Sequence, residues 1–86
     1  MGSYALDIKP SAHKEFEDLS DDLRARMVPK VEALAANPRP AGCKKLRGCK
    51  DLWRIRIGDY RVVYIIDDAQ KIVSIARVAH RRDVYG

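Results

Sequence analysis

Arg54, Arg56 and Arg61 stand inside the run LWRIRIGDYRVVY, residues 52–64, among residues that otherwise suit a core. A guanidinium group does not lose its proton near neutrality, so the chemistry open to it is electrostatic: holding an anion, or stabilising charge as it develops in a transfer reaction. Whether the three act together depends on strand alternation. With Gly58-Asp59 as a two-residue turn, Ile57 pairs with Tyr60, Arg56 with Arg61, Ile55 with Val62, Arg54 with Val63 and Trp53 with Tyr64. One face then collects Trp53, Ile55, Ile57, Tyr60, Val62 and Tyr64. The other carries the three arginines beside Val63 and Ile65. A slip of one residue buries the arginines and exposes Trp53, so the apolar face selects the register. Arg56 opposite Arg61 costs a few tenths to about 1 kcal/mol, and an acid at either position removes that cost. The cluster points to an anionic partner, against the plainer reading of a solvated sheet face.

Other reactive side chains gather downstream. The ending RVAHRRDVYG supplies Arg77, His80, Arg81, Arg82 and Tyr85. An unperturbed histidine titrates near neutrality, so His80 is a candidate proton carrier. Tyr85 offers a stacking face and a phenol. Taken singly, these two are a surface histidine and a terminal packing residue; beside an arginine cluster they acquire a function. The segment PRPAGCKKLRGCKD, residues 38–51, adds Arg39, Lys44, Lys45, Arg47 and Lys50, cations suited to phosphate contacts that position a nucleic acid without reading its sequence. Residues 1–38 carry five Lys/Arg against seven acids, whereas residues 39–86 carry twelve against five. The basic half is the half expected to meet nucleic acid.

These groups need a scaffold. Eighty-six residues, 47% of them hydrophobic and 34% charged, describe one globular domain spanning 1–86. No run approaches the roughly 20 apolar residues of a membrane span, and the start shows no signal peptide. Cys43 and Cys49 match neither a metal pair nor a redox motif and read as reduced thiols of a cytoplasmic protein. No metal or other cofactor is expected.

Residues 4–8 alternate as a short strand. Ser11 is the expected N-cap of a helix that turns Ala12, Phe16 and Leu19 to one side. Ser20 to Asp22 caps a second helix with Leu23, Met27, Val31, Leu34 and Ala35 in one stripe, which Asn37-Pro38 ends. Pro29 inside it predicts a kink near Ala25 to Val28. The acids of the first helix, Glu15 among them, read as solvated surface. A basic loop with a short extended piece near Leu46 follows. Strands are then expected at 52–57, 60–67 and roughly 71–79. This is an α+β fold, with the N-terminal strand and helical hairpin packed on one face of a curved antiparallel sheet.

The ordered set IKPSA, NPRPAGCKKLRG, LWRIRIGDYRVVYIID and HRRDVY resembles the RelE-like toxins of the RelE/ParE toxin–antitoxin superfamily, across nearly the whole chain. The resemblance implies a metal-independent endoribonuclease that enters the ribosomal A site and cuts mRNA there, using the RNA 2′-OH against the adjacent phosphate. It places the catalytic set on Arg54, Arg56, Arg61, Arg81 and Tyr85. The best-studied branch has lysines where this chain has Arg54 and Arg56. Arginine is a poor general base, so His80 becomes the candidate base here. Arg39, Lys44, Lys45, Arg47, Lys50, Arg77 and Arg82 are the candidate RNA contacts. The implied partners are the ribosome with its mRNA and an inhibitory RelB-like antitoxin that folds as it wraps the toxin. Two rivals share the fold: a ParE-type inhibitor of DNA gyrase, and a module that binds RNA or a partner without cutting.

Overall fold

Leu52–Ile57 (β3) and Tyr60–Asp67 (β4) form the centre of the molecule, and their pairing follows the alternation read above, from Ile57 opposite Tyr60 through Trp53 opposite Tyr64. Gly58 turns the chain at φ +61°, a left-handed value that a side chain strains to adopt. The computed structural model describes residues 3–46 and 51–80. Ahead of the hairpin lie β1 (Ala5–Ile8), α1 (Pro10–Glu17), α2 (Asp21–Ala36) and β2 (Lys44–Lys45); β5 (Ile72–His80) follows it. The sheet order is β1-β5-β4-β3-β2.

The sheet is mixed, where an antiparallel one was expected. β1 runs parallel to β5, with Ala5 to Ile8 opposite Ile72 to Ile75. The helical hairpin carries the chain from β1 to β2 at the opposite edge, and the strands β2 to β5 then return it to lie beside β1. β2 is the extended piece of the basic loop, displaced slightly from Leu46, and pairs Lys44 with Arg54 and Lys45 with Trp53.

Both helices cover one face of the sheet. Ala12 and Phe16 of α1 and Met27, Val31 and Leu34 of α2 join Ile55, Ile57, Val62, Tyr64, Ile66, Val73, Ile75 and Val78 in the core. α1 begins earlier than Ser11 implied. Lys9 is its N-cap and Pro10 its first residue, where a missing N–H is harmless and the fixed φ suits the helix. Ser11, inside the helix, instead donates its hydroxyl to the Ala76 carbonyl at 3.3 Å. Ser20 caps α2 as expected, accepting the Leu23 N–H. α2 runs on through Pro29. Ala25 and Pro29 are both exposed, so water can serve the carbonyl that the proline leaves without a donor. No helix among the described residues is long and apolar enough to cross a membrane.

Tyr64 lies fully buried at mid-sheet and donates its hydroxyl to the Pro38 carbonyl at 2.7 Å, fastening the end of α2 to β4. Burial, and then the neighbouring Cys43, pushes its phenol well above the ordinary value. Tyr64→Phe strands that carbonyl, and stability is expected to fall by about 1–2 kcal/mol. Urea unfolding checks this, and an unchanged midpoint counts against the bond's role.

Candidate nucleic-acid interface

The face away from the helices receives Arg54, Arg56 and Arg61, because each alternates with a core residue along β3 or β4. β2 adds Lys44 through its register with Arg54, while Lys45, opposite Trp53, turns to the helical side. Arg54 is 8% exposed and is the one buried charged residue described. Burial lowers its pKa, and the positive charges of Arg56 and Arg61 lower it further. The field around it is therefore strongly cationic. Among the described residues no carboxylate forms an ion pair with any of the three. The Nε of Arg61 is buried without a hydrogen-bond partner. A hollow of about 130 Å³ opens at the hairpin tip between Arg56, Arg61 and the turn residues Gly58 to Tyr60. A buried unpartnered donor, like charges and a hollow beside them are the features that suit an anion, and the sheet holds them in place.

His80 stands elsewhere. β5 pairs Val63 with Arg77 but Tyr64 with Ile75, so Ala76 is an extra residue and the alternation shifts there. Beyond this bulge Ala79 takes the arginine side and His80 faces Tyr60 on the helical side, their rings edge to face at 5.2 Å. The expected grouping of His80 with the arginines is thus not what the backbone produces. A hollow of about 460 Å³, lined in part by Leu23, Arg26, Asp59, Tyr60 and His80, lies on this other side of the turn.

Two of the anticipated RNA contacts are held by acids of the chain. Arg39 stacks over the Trp53 ring at 5.0 Å and grips both oxygens of Asp68, at 3.3 and 2.9 Å. Arg77 donates to Glu15 at 3.1 Å. Glu15 also accepts the Val78 N–H at 2.7 Å, at the part of β5 that β1 does not reach. This acid, expected to be plain surface, covers a sheet edge. Its place one turn after Ser11 on α1 was the signal, since both side chains bond to β5. Arg47, Lys50, Arg81, Arg82 and Tyr85, together with Cys49, lie outside the described residues. The Cys43 thiol is free.

Hydrogen bonds from Arg39 and then Tyr4 hold the Asp68 carboxyl below its ordinary pKa, and its bond to Tyr4 raises that phenol. A depressed folded pKa adds stability that is fully present above the unfolded value, near 3.8, and is lost as pH falls through the folded one. Asp68→Asn is therefore expected to flatten the most acidic part of the stability–pH curve. Identical acid limbs for variant and wild type dismiss the clasp.

Residues 6–85 match the family described as "ParE toxin of type II toxin-antitoxin system, parDE". The mRNA interferase toxin RelE of Escherichia coli K12 is 31% identical over 81 residues, covering 92% of this chain and 84% of that protein. The archaeal RelE–RelB complex of Pyrococcus horikoshii OT3 superposes with a TM-score of 0.82 at 28% identity, covering 95% of this chain and 99% of that one. The toxin–antitoxin complex RelBE2 of Mycobacterium tuberculosis gives 0.80 at 30% identity, covering 92% and 99%. With a match of this extent, the chain belongs to the RelE/ParE family of toxins from type II toxin–antitoxin systems.

Proposed function

We propose that this chain is a cytoplasmic mRNA endoribonuclease, the toxin of a type II pair, which cuts in the ribosomal A site and is silenced by a RelB-like antitoxin. One observation carries the reading: Arg54, Arg56 and Arg61 share the face away from the helices, Arg56 exposed, Arg61 half-buried and Arg54 buried, and no carboxylate among the described residues pairs with them. The names of the relatives point the same way, one an mRNA interferase and others solved bound to RelB or within RelBE complexes.

In the reaction the RNA 2′ oxygen attacks the adjacent phosphorus. The O2′–P bond forms, the P–O5′ bond breaks, and the products are a 2′,3′-cyclic phosphate and a 5′-OH. Charge accumulates on the non-bridging oxygens, and fixed guanidinium groups aimed at them lower the barrier by several kcal/mol. The 2′-OH proton needs an acceptor and the departing O5′ a proton. Asp59 lines the Arg56–Arg61 hollow as well as the one across the turn, whereas His80 lines only the latter, so Asp59 is favoured as the acceptor. Arg81 and Tyr85 are proposed beside the leaving oxygen on family resemblance. Of the described basic-loop residues, Lys44 is the one on the arginine face and is proposed to hold a neighbouring phosphate.

The test is cleavage of mRNA on programmed ribosomes with the ends mapped, for wild type and Arg61→Ala. A cut within the A-site codon that the variant loses supports the nuclease. The family description favours one rival, a ParE-type gyrase inhibitor. Intact mRNA together with gyrase poisoning establishes that rival, and RNA binding with neither effect establishes a non-catalytic module. His80→Ala is expected to keep the single-turnover rate, and Asp59→Asn to lower it about 100-fold or more.

A further inference from the structure

We infer that the hollow between α2 and the hairpin tip is a nucleotide subsite, which holds the residue flanking the cut on the side of Tyr60, His80 and Arg26. This rests on the reading of the chain as an RNA-cutting toxin.

The hollow on the arginine face and the larger one on the helical face share Gly58, Asp59 and Tyr60. A two-residue turn is thus all that separates them. A single strand of RNA with its phosphate beside Arg56 and Arg61 can bend over this turn and place its next nucleotide in the larger space. That space, about 460 Å³, falls in the size range of small-ligand clefts. Its lining carries the groups a nucleotide uses. Tyr60 and His80 line it with their rings nearly perpendicular and centroids 5.2 Å apart, so one ring braces the other edge to face while a base stacks on a single ring face. Arg26, an exposed cation on α2 without an ion pair among the described residues, suits a phosphate.

The placement has a cause in the backbone. The bulge at Ala76 sends His80 to this side, and the register sets it beside Tyr60. His80 then works as part of a base platform, consistent with its distance in topology from the arginine face.

The experiment measures cleavage in programmed ribosomes over a panel of A-site codons that differ in one nucleotide beside the cut. It compares wild type, Arg26→Ala and Tyr60→Leu, the last keeping an apolar side chain against the core. Arg26→Ala is expected to raise the half-saturating toxin concentration about 5- to 20-fold, at an unchanged single-turnover rate and with a shallower salt dependence. Tyr60→Leu is expected to change the ratio of rates between purine and pyrimidine at one flanking position by about 5-fold or more. Circular dichroism melts identify a variant that has lost its fold, and Tyr60→Phe, which keeps the ring, is expected to restore the wild-type preference. Codon ratios unchanged in Tyr60→Leu, or Arg26→Ala weakening only the grip of the antitoxin, overturn the inference. A wild-type toxin that cuts no codon overturns the nuclease reading itself.

Discussion

Arg54→Met is expected to abolish cleavage and raise stability in the same protein. Arg54 is 8% exposed, and among the described residues no carboxylate pairs with it, while Arg56 and Arg61 crowd it with like charge. Methionine has a similar unbranched stem and fills the space without a charge. Exchanging a buried unpaired cation for an apolar side chain stabilises by about 1–2 kcal/mol, roughly 5–10 °C in Tm for a domain of this size. The same exchange removes a fixed charge from the proposed site of cleavage, and the rate is expected to fall about 100- to 1000-fold. Arg61→Ala is expected to lose activity similarly, since its Nε is buried without a partner. An anion supplies what the cluster lacks, so inorganic phosphate at constant ionic strength should raise the melting point of wild type and leave Arg54→Met nearly unmoved. A destabilised Arg54→Met that still cuts removes the anion site from the argument.

Stability and activity pull apart at this one residue because the cluster is built against the ordinary rules of a sheet. Elsewhere the rules hold, and that contrast made the site readable. Apolar residues alternate through 52–57 and 60–67, and a Gly-Asp turn sets the offset, so the pairing of Arg56 with Arg61 could be read without coordinates. What local pattern could not carry is whatever long-range contact decides. The bulge at Ala76 arises where β1 stops, at Ile8 opposite Ile75, and α1 takes over the edge through Ser11 and Glu15. Period-two reading through this point assigns His80 to the wrong side. Arg39 and Arg77 resembled Arg54 in sequence, yet their acids, Asp68 and Glu15, lie 29 and 62 residues away. Composition distinguishes a charged residue from an apolar one, but not a paired cation from an unpaired one. The parallel seat of β1 is another such contact. The earlier start of α1 was legible, because Pro10 is a good first helical residue and Ser11 was given its place.

Glu15→Ala tests how far the covered edge of β5 supports the site. One carboxylate oxygen accepts the Val78 N–H at 2.7 Å, and the other receives Arg77 at 3.1 Å. Val78 is 3% exposed, so alanine leaves a buried N–H with no acceptor, a loss of about 1–3 kcal/mol and roughly 10 °C in Tm. Arg77 is half exposed and its ion pair contributes little of this. Glu15→Gln keeps a carbonyl oxygen for the N–H while discarding the charge, and is expected to recover most of the stability. The functional consequence follows from the register: Ala79 lies opposite Arg61 and His80 opposite Tyr60, just beyond the bond that Glu15 makes. Loosening that bond frees the end of β5 on both sides of the hairpin tip. Hydrogen exchange at Val78 should therefore accelerate more than exchange at Val62 in mid-sheet, and cleavage should fall by more than the unfolded fraction explains, with Glu15→Gln restoring both. If exchange accelerates equally at Val62 and Val78, and activity follows the folded fraction alone, Glu15 stabilises the whole fold and does not position the site.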